Sequence, residues 1–104
     1  MMINTFKLDT VDFAKILADE TRQQIMALCC CRWASVSELQ SQLDVSQPTV
    51  SHHLGVLRSA GLVQARTEGR QVFYRLEQDQ VLSCCESLID RFNPGSEAQE
   101  AQGK

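Results

Sequence analysis

Residues 44–63, DVSQPTVSHHLGVLRSAGLV, constrain the fold more than any other stretch of this chain. Ser46 stands at an N-cap position, and Pro48 falls in the first helical turn, where a missing N–H leaves no hydrogen bond unmade. Val50, Leu54 and Leu57 recur at i, i+4 and i+7, which makes one apolar stripe. Gly61 follows as a natural stop. The opposite face carries Gln47, Thr49, Ser51, His52 and Arg58, short or flat hydrogen-bonding side chains in place of the Glu/Lys mix of a solvated helix. Such groups suit base edges and phosphates in a major groove, so the stretch is expected to be a recognition helix.

The elements around it follow from the same signals. A first helix is expected from about Thr10 to Ala18. Asp19 can cap a second, which runs through Ile25, Met26 and Leu28 to the cysteine run. Ser35 or Ser37 starts a short third helix with Leu39 and Leu43 on one face, and Asp44-Val45 connects it to the fourth. After Gly61 the apolar period changes from 3.6 to 2. Residues 62–66 and 71–76 then read as two strands around a turn at 67–70. A last helix is expected from about Asp79 to Phe92, stopped by Asn93-Pro94-Gly95. The order α-α-α-α-β-β-α, mainly helical with a small hairpin wing, is that of a winged helix-turn-helix. Residues 9–93 form this one domain. Residues 1–8 are expected to be a flexible lead, with Phe6 and Leu8 tucked against the body, and 94–104 a disordered tail.

A net charge of −3 looks unsuited to DNA, but its distribution is uneven. Residues 46–75 carry +3 and the remainder −6, so the positive charge sits where the DNA face is expected. No apolar run is long enough to span a membrane and no signal-peptide pattern opens the chain, which points to the cytoplasm. Five cysteines in two clusters, 29–31 and 84–85, are an odd count and argue against a structural disulfide framework. In a reducing compartment clustered thiols point to a soft metal, a metalloid or redox chemistry.

Three segments taken together, LADETRQQIM, SVSELQSQLDVSQPTVSHHLGVLRSAGLV and EGRQVFYRL, resemble the ArsR/SmtB family of small dimeric metal- and metalloid-sensing repressors. The resemblance covers about residues 12–92. It implies a homodimer built by the first and last helices, binding of double-stranded operator DNA in the ligand-free state, and release when an inducer binds. The last helix supports a dimer independently: Val81, Cys85, Leu88, Ile89 and Phe92 form too wide a stripe to leave exposed. A symmetric pair would set two recognition helices about 34 Å apart on a pseudo-palindrome.

On this reading Gln47 and Ser51 reach base edges, Thr49 and Arg58 contact phosphates, and Arg70 at the wing tip enters an adjacent minor groove. His52 faces DNA while His53 is a partly buried hydrogen-bonder. The two are not a metal site, because neighbouring helical residues point about 100° apart. Cys30 and Cys31 at the end of the second helix, with Cys84 and Cys85 in the last, are the expected ligands of a thiophilic inducer; Cys29 shares a face with Ile25 and Leu28, which leaves it open between a core residue and a further ligand. Three thiolates suit As(III) or Sb(III), the first choice, and four suit Zn²⁺ or Cd²⁺.

The chain departs from the family's best-known arsenic sensors. Their Cys-x-Cys-x-x-Cys at the start of the third helix is replaced by Ser35-Val36-Ser37-Glu38-Leu39. The last helix has no histidine for the zinc site that other members carry there. The alternative is a redox- or persulfide-sensing repressor, in which one cysteine of helix 2 and one of the last helix form a bridge. An enzyme using a Cys/His pair, or an interaction module with a degenerate wing, has no supporting feature beyond the cysteines themselves, so no catalytic residue and no enzymatic cofactor are expected.

Overall fold

Caps decide where most of the helices begin. The computed structural model describes residues 8–93, in the order α1 (Thr10–Leu17), α2 (Glu20–Leu28), β1 (Ala34–Ser35), α3 (Val36–Ser41), α4 (Gln47–Ser59), β2 (Val63–Glu68), β3 (Gln71–Leu76) and α5 (Gln78–Phe92). Phe6 and the segment 94–104 lie outside the described residues; Leu8 is half-buried and packs against the core. Asp19 accepts the Arg22 N–H at 3.1 Å and caps α2. Of the two serines expected to open α3, Ser35 is the cap. Its Oγ accepts the Glu38 N–H at 3.1 Å, while Glu38 Oε1 accepts the Ser35 N–H at 2.8 Å, a reciprocal capping box. Ser46 accepts the Thr49 N–H and starts α4.

The end of α4 is equally well defined. Gly61, at φ 76°, donates to the Arg58 carbonyl, and Leu62 donates to the Leu57 carbonyl, both at 2.9 Å. This is the paired bonding of a Schellman stop, which needs a left-handed residue at that point. The chain leaves directly into the sheet.

The sheet differs from expectation in two ways. It has three strands rather than two, in the order β1-β3-β2, with Ala34 opposite Tyr74 and Ser35 opposite Phe73. Two residues are too few to show alternation, so β1 has no signature in its own sequence. The hairpin is also tighter: β2 and β3 pair from Val63↔Leu76 to Glu68↔Gln71, leaving only Gly69-Arg70 as the loop. Gly69 adopts φ 60°, which suits a two-residue hairpin connection.

Phe13, Ile25, Leu39, Val50, Leu54, Leu57 and Leu62 are essentially fully buried, so every layer from α1 to the base of β2 contributes to one core. The apolar stripe expected on α4 is this buried face. The stripe on α5 behaves differently. Only Cys84 is buried there; Val81, Cys85 and Leu88 are half-buried, and Ile89 and Phe92 are exposed. α5 packs along α1, and Arg91 Nη1 donates to Thr10 Oγ1 at 3.3 Å.

Candidate DNA interface and cysteine sites

The N-terminal half of α4, the start of α3 and the wing hairpin β2–β3 enclose a groove of about 450 Å³. Gln47, Ser51 and Arg70 line it together, joined by Ser37, Gln71 and Tyr74. The cap at Ser46 sets the rotational phase of α4: with Val50, Leu54 and Leu57 turned inward, Gln47 and Ser51, one turn apart, must face out. The tight hairpin then places Arg70 beside them.

The remaining expected contacts lie elsewhere on the same helix. His52 is exposed beside this face. Thr49 is half-buried, with its hydroxyl 3.0 Å from Ser46 Oγ. Arg58 is exposed in the last turn of α4, outside the groove, where its charge complements the helix C-terminus. Sequence reasoning missed Ser37 and Gln71, because their place in the groove depends on how the wing folds back over α3.

His53 is buried, as a hydrogen-bonder, and its partner comes from 31 residues away. Arg22 Nη1 lies 3.1 Å from His53 Nδ1, while Arg22 Nε donates to the Ile16 carbonyl at 3.0 Å. Asp19 Oδ1 is 3.9 Å from His53 Nε2. Burial pushes the His53 pKa down against the opposing pull of Asp19. The backbone N–H of Arg22 holds the Asp19 carboxyl below its ordinary value. This cluster fastens the middle of α4 to the corner between α1 and α2.

The five cysteines fall into different environments. Cys29 is fully buried, and burial pushes its thiol up to about 11. It is a core residue, the first of the two alternatives open to it. Cys30 is half-buried and Cys31 exposed, with their Sγ atoms 3.0 Å apart. The hydrogen bond with Cys31 raises the Cys30 pKa. Cys84 belongs to the core, and burial raises its thiol as well. Cys85 is half-buried and packs against that core.

The convergence of three or four thiolates is not assembled within one subunit: among the described residues no group of three or more His, Cys, Asp or Glu side chains could hold a metal ion. The physical reason is the path of α5. Its first turn touches the end of α2, where Gln78 Nε2 donates to the Cys30 carbonyl at 3.0 Å. Cys84 is six residues further on, about 9 Å along the helix axis, and turns into the core. Cys30 and Cys31 stand together without Cys84 and Cys85.

A second surface is apolar. A groove of about 390 Å³ between α1 and α5 is lined by Val11, Ala14, Ala18, Leu88 and Phe92 among others. Val11 is 51% exposed, Ile89 59% and Phe92 81%. Among the described residues no helix is long and apolar enough to cross a membrane.

Comparison with known proteins matches this arrangement. Residues 19–65 fit the arsR family of bacterial regulatory proteins. The biofilm growth-associated repressor of Agrobacterium fabrum is 43% identical over 78 residues, 75% of this chain and 67% of that protein. The arsenical resistance operon repressor of Escherichia coli is 42% identical over 73 residues, 64% of this chain and 57% of that protein. The solution structure of a homodimeric winged helix-turn-helix DNA-binding domain from Mycobacterium bovis superposes with a TM-score of 0.64 at 27% identity, covering 80% of this chain and 78% of that one. The α4–wing groove therefore sits on a mainly helical, winged helix-turn-helix scaffold built for binding DNA rather than for catalysis, and the chain belongs to the ArsR/SmtB family of transcriptional regulators.

Proposed function

We propose that this protein is a cytoplasmic, homodimeric transcriptional repressor that grips operator DNA through α4 and the wing and is released when a thiophilic metalloid, As(III) first, binds its cysteine thiolates. The observation that carries the DNA-binding half is the groove that brings Gln47, Ser51 and Arg70 onto one face. In this reading Gln47 and Ser51 meet base edges and His52 borders them. Thr49 and Arg58 steady the phosphates, and Arg70 reaches the adjacent minor groove. The domain that does this spans residues 9–93. The apolar α1/α5 surface is where the second subunit docks, since a small domain does not leave so much contiguous apolar area to water.

The effector half rests on the adjacent thiols of Cys30 and Cys31, 3.0 Å apart and open to solvent on the Cys31 side. Soft thiolates select soft ions. Trivalent arsenic or antimony is satisfied by two or three sulfurs, whereas Zn²⁺ or Cd²⁺ would need four ligands, and among the described residues one subunit does not bring even three together. Cys84 and Cys85, on the helix that meets the second subunit, are the remaining thiol ligands open to this reading. The E. coli relative, named for arsenical resistance, supports the choice of arsenic. The same close pair also supports a second reading, oxidation or persulfide bridging of thiols as the trigger.

One experiment separates these. Reduced protein is bound to the DNA upstream of its own gene, then challenged with arsenite or with a persulfide donor, while intact mass and DNA anisotropy are followed. Arsenic retained at one per subunit together with DNA release supports the metalloid reading. Release with loss of two hydrogens or gain of a sulfur bridge, and no arsenic retained, transfers the protein to the redox class. Failure of the reduced protein to bind any DNA above its non-specific level overturns the repressor reading.

A further inference from the structure

Residues 29–33 join α2 to β1, and this short segment is anchored to the wing at both of its ends. The N–H of Leu76, the last residue of β3, donates to the Cys29 carbonyl at 2.9 Å. Gln78, the first residue of α5, donates to the Cys30 carbonyl, a bond outside the wing. The Arg66 guanidinium of β2 lies 4.5 Å from the centre of the Trp33 ring, a cation–π contact. The next two residues, Ala34 and Ser35, pair with Tyr74 and Phe73 of β3. The two thiols therefore lie in the middle of a five-residue strap that the wing holds at both ends.

We infer that Cys30 and Cys31 form a dithiol site for a monosubstituted trivalent arsenical, and that its occupation is transmitted along the Cys29–Trp33 strap to the wing, not through α5. The inference rests on the thiol-effector reading above and names its site and its route. With phenylarsine oxide as ligand the chemistry balances without a redox partner. Two As–S bonds form, the As–O bond breaks, the two thiol protons leave with that oxygen as water, and arsenic stays trivalent. Closing a ring through both sulfurs fixes two side chains that otherwise rotate independently. It also reshapes the backbone that carries the Cys29 carbonyl. The Leu76 anchor of the wing sits on that carbonyl, and Trp33, which carries the Arg66 contact, is two residues from Cys31. Displacing Trp33 from Arg66 loosens β2, and with it the hairpin that holds Arg70.

The test uses the reduced full-length chain titrated with phenylarsine oxide. Trp33 is the single tryptophan, so its emission reports on the Arg66 contact without labelling. The expected result is one phenylarsenic per subunit and a change in Trp33 emission that is absent in Cys30→Ser and in Cys31→Ser but kept in Cys84→Ser and Cys85→Ser. DNA affinity falls by roughly 5- to 150-fold, the usual range for such coupling. The loss is smaller in Arg70→Ala, whose wing contact is already gone, and the emission change is diminished in Arg66→Gln but kept in Arg66→Lys. DNA release with unchanged Trp33 emission and a full loss in Arg70→Ala overturns the wing route and leaves the thiol-effector reading standing. A requirement for Cys84 or Cys85 overturns the dithiol site. Stoichiometric arsenical binding with no loss of DNA affinity overturns both this inference and the metalloid reading on which it rests.

Discussion

α4 and α5 are of similar length, and they are finished in different ways. α4 has a serine cap at one end and a Schellman stop at the other, and it buries Val50, His53, Leu54 and Leu57 within its own subunit. α5 has no side-chain cap, buries only Cys84, and leaves Leu82 60% exposed along with Ile89 and Phe92. On the reading above α4 meets the bases, and its contacts are already complete inside the monomer. A helix whose apolar face is still open is completed by something else, and on the reading above that is a second copy of itself. Stability of the fold and strength of DNA binding should therefore respond to different residues.

The largest effect is expected from Ile89→Asp. The side chain is exposed in the subunit, so circular dichroism should be unchanged, while a buried charge should split the dimer. Losing the second half-site removes an avidity of about 10²- to 10⁴-fold in operator affinity. Sedimentation alongside DNA titration checks this; a variant that stays dimeric with full affinity would place the subunit contact elsewhere. Leu54→Ala should show the converse. Leu54 is 1% exposed at the centre of the core, and its truncation should cost about 3 kcal/mol of subunit stability by urea denaturation. Val11→Ala, on the open face, should cost under about 0.5 kcal/mol in the isolated subunit. Equal losses at both positions would remove the contrast between the two faces.

How much of this could be read in advance follows the same division. Ser46, Pro48 and Gly61 act on backbone groups within five residues, so the extent of α4 and its buried stripe are visible in the sequence. Asp19 as a cap is visible for the same reason. β1 is not, because its two residues become a strand only by pairing with Tyr74 and Phe73, 38 or more residues later. The choice of Ser35 over Ser37 needed the Glu38 side chain to fold back. In the candidate interface, Gln47, Ser51 and Arg70 were legible as an outward face and a hairpin tip, whereas Ser37 and Gln71 enter only through tertiary packing. The cysteines were legible as clusters but not as partners. A helix wheel places Cys84 on a face without saying which neighbour that face meets.

The caps give a smaller, local test. Ser46→Ala removes the side-chain acceptor for the Thr49 N–H and should cost about 1 kcal/mol. Glu77, at the corresponding position of α5, makes no side-chain cap bond, so Glu77→Ala should cost less in the same urea assay. If the two losses were equal, the difference in how these helices begin would have no energetic content.

The smallest effect is expected to be the pH dependence of the joint between α4 and the α1–α2 corner. A guanidinium offers only donors, so the 3.1 Å contact from Arg22 requires a lone pair on His53 Nδ1 and places the ring proton on Nε2. Protonating Nδ1 would set a positive ring against Arg22. Burial lowers the His53 pKa below its ordinary 6.5, with Arg22 and His52 adding to the shift and Asp19 opposing it. The unfolded chain therefore takes up a proton at higher pH than the folded one, and stability should fall as pH drops through about 6.5 toward the folded value. Asp19, held below its ordinary 3.8, is stabilising above that value, and its contribution is lost only at still lower pH, so the two steps are separated. His53→Gln keeps an acceptor for Arg22 and cannot titrate. Its urea midpoint should therefore stay flat between neutral pH and about pH 5.5, while that of the parent chain declines. Parallel declines in both proteins would mean that α4 is held to the corner by its apolar contacts alone, and that the Arg22–His53 bond contributes nothing that protonation can remove.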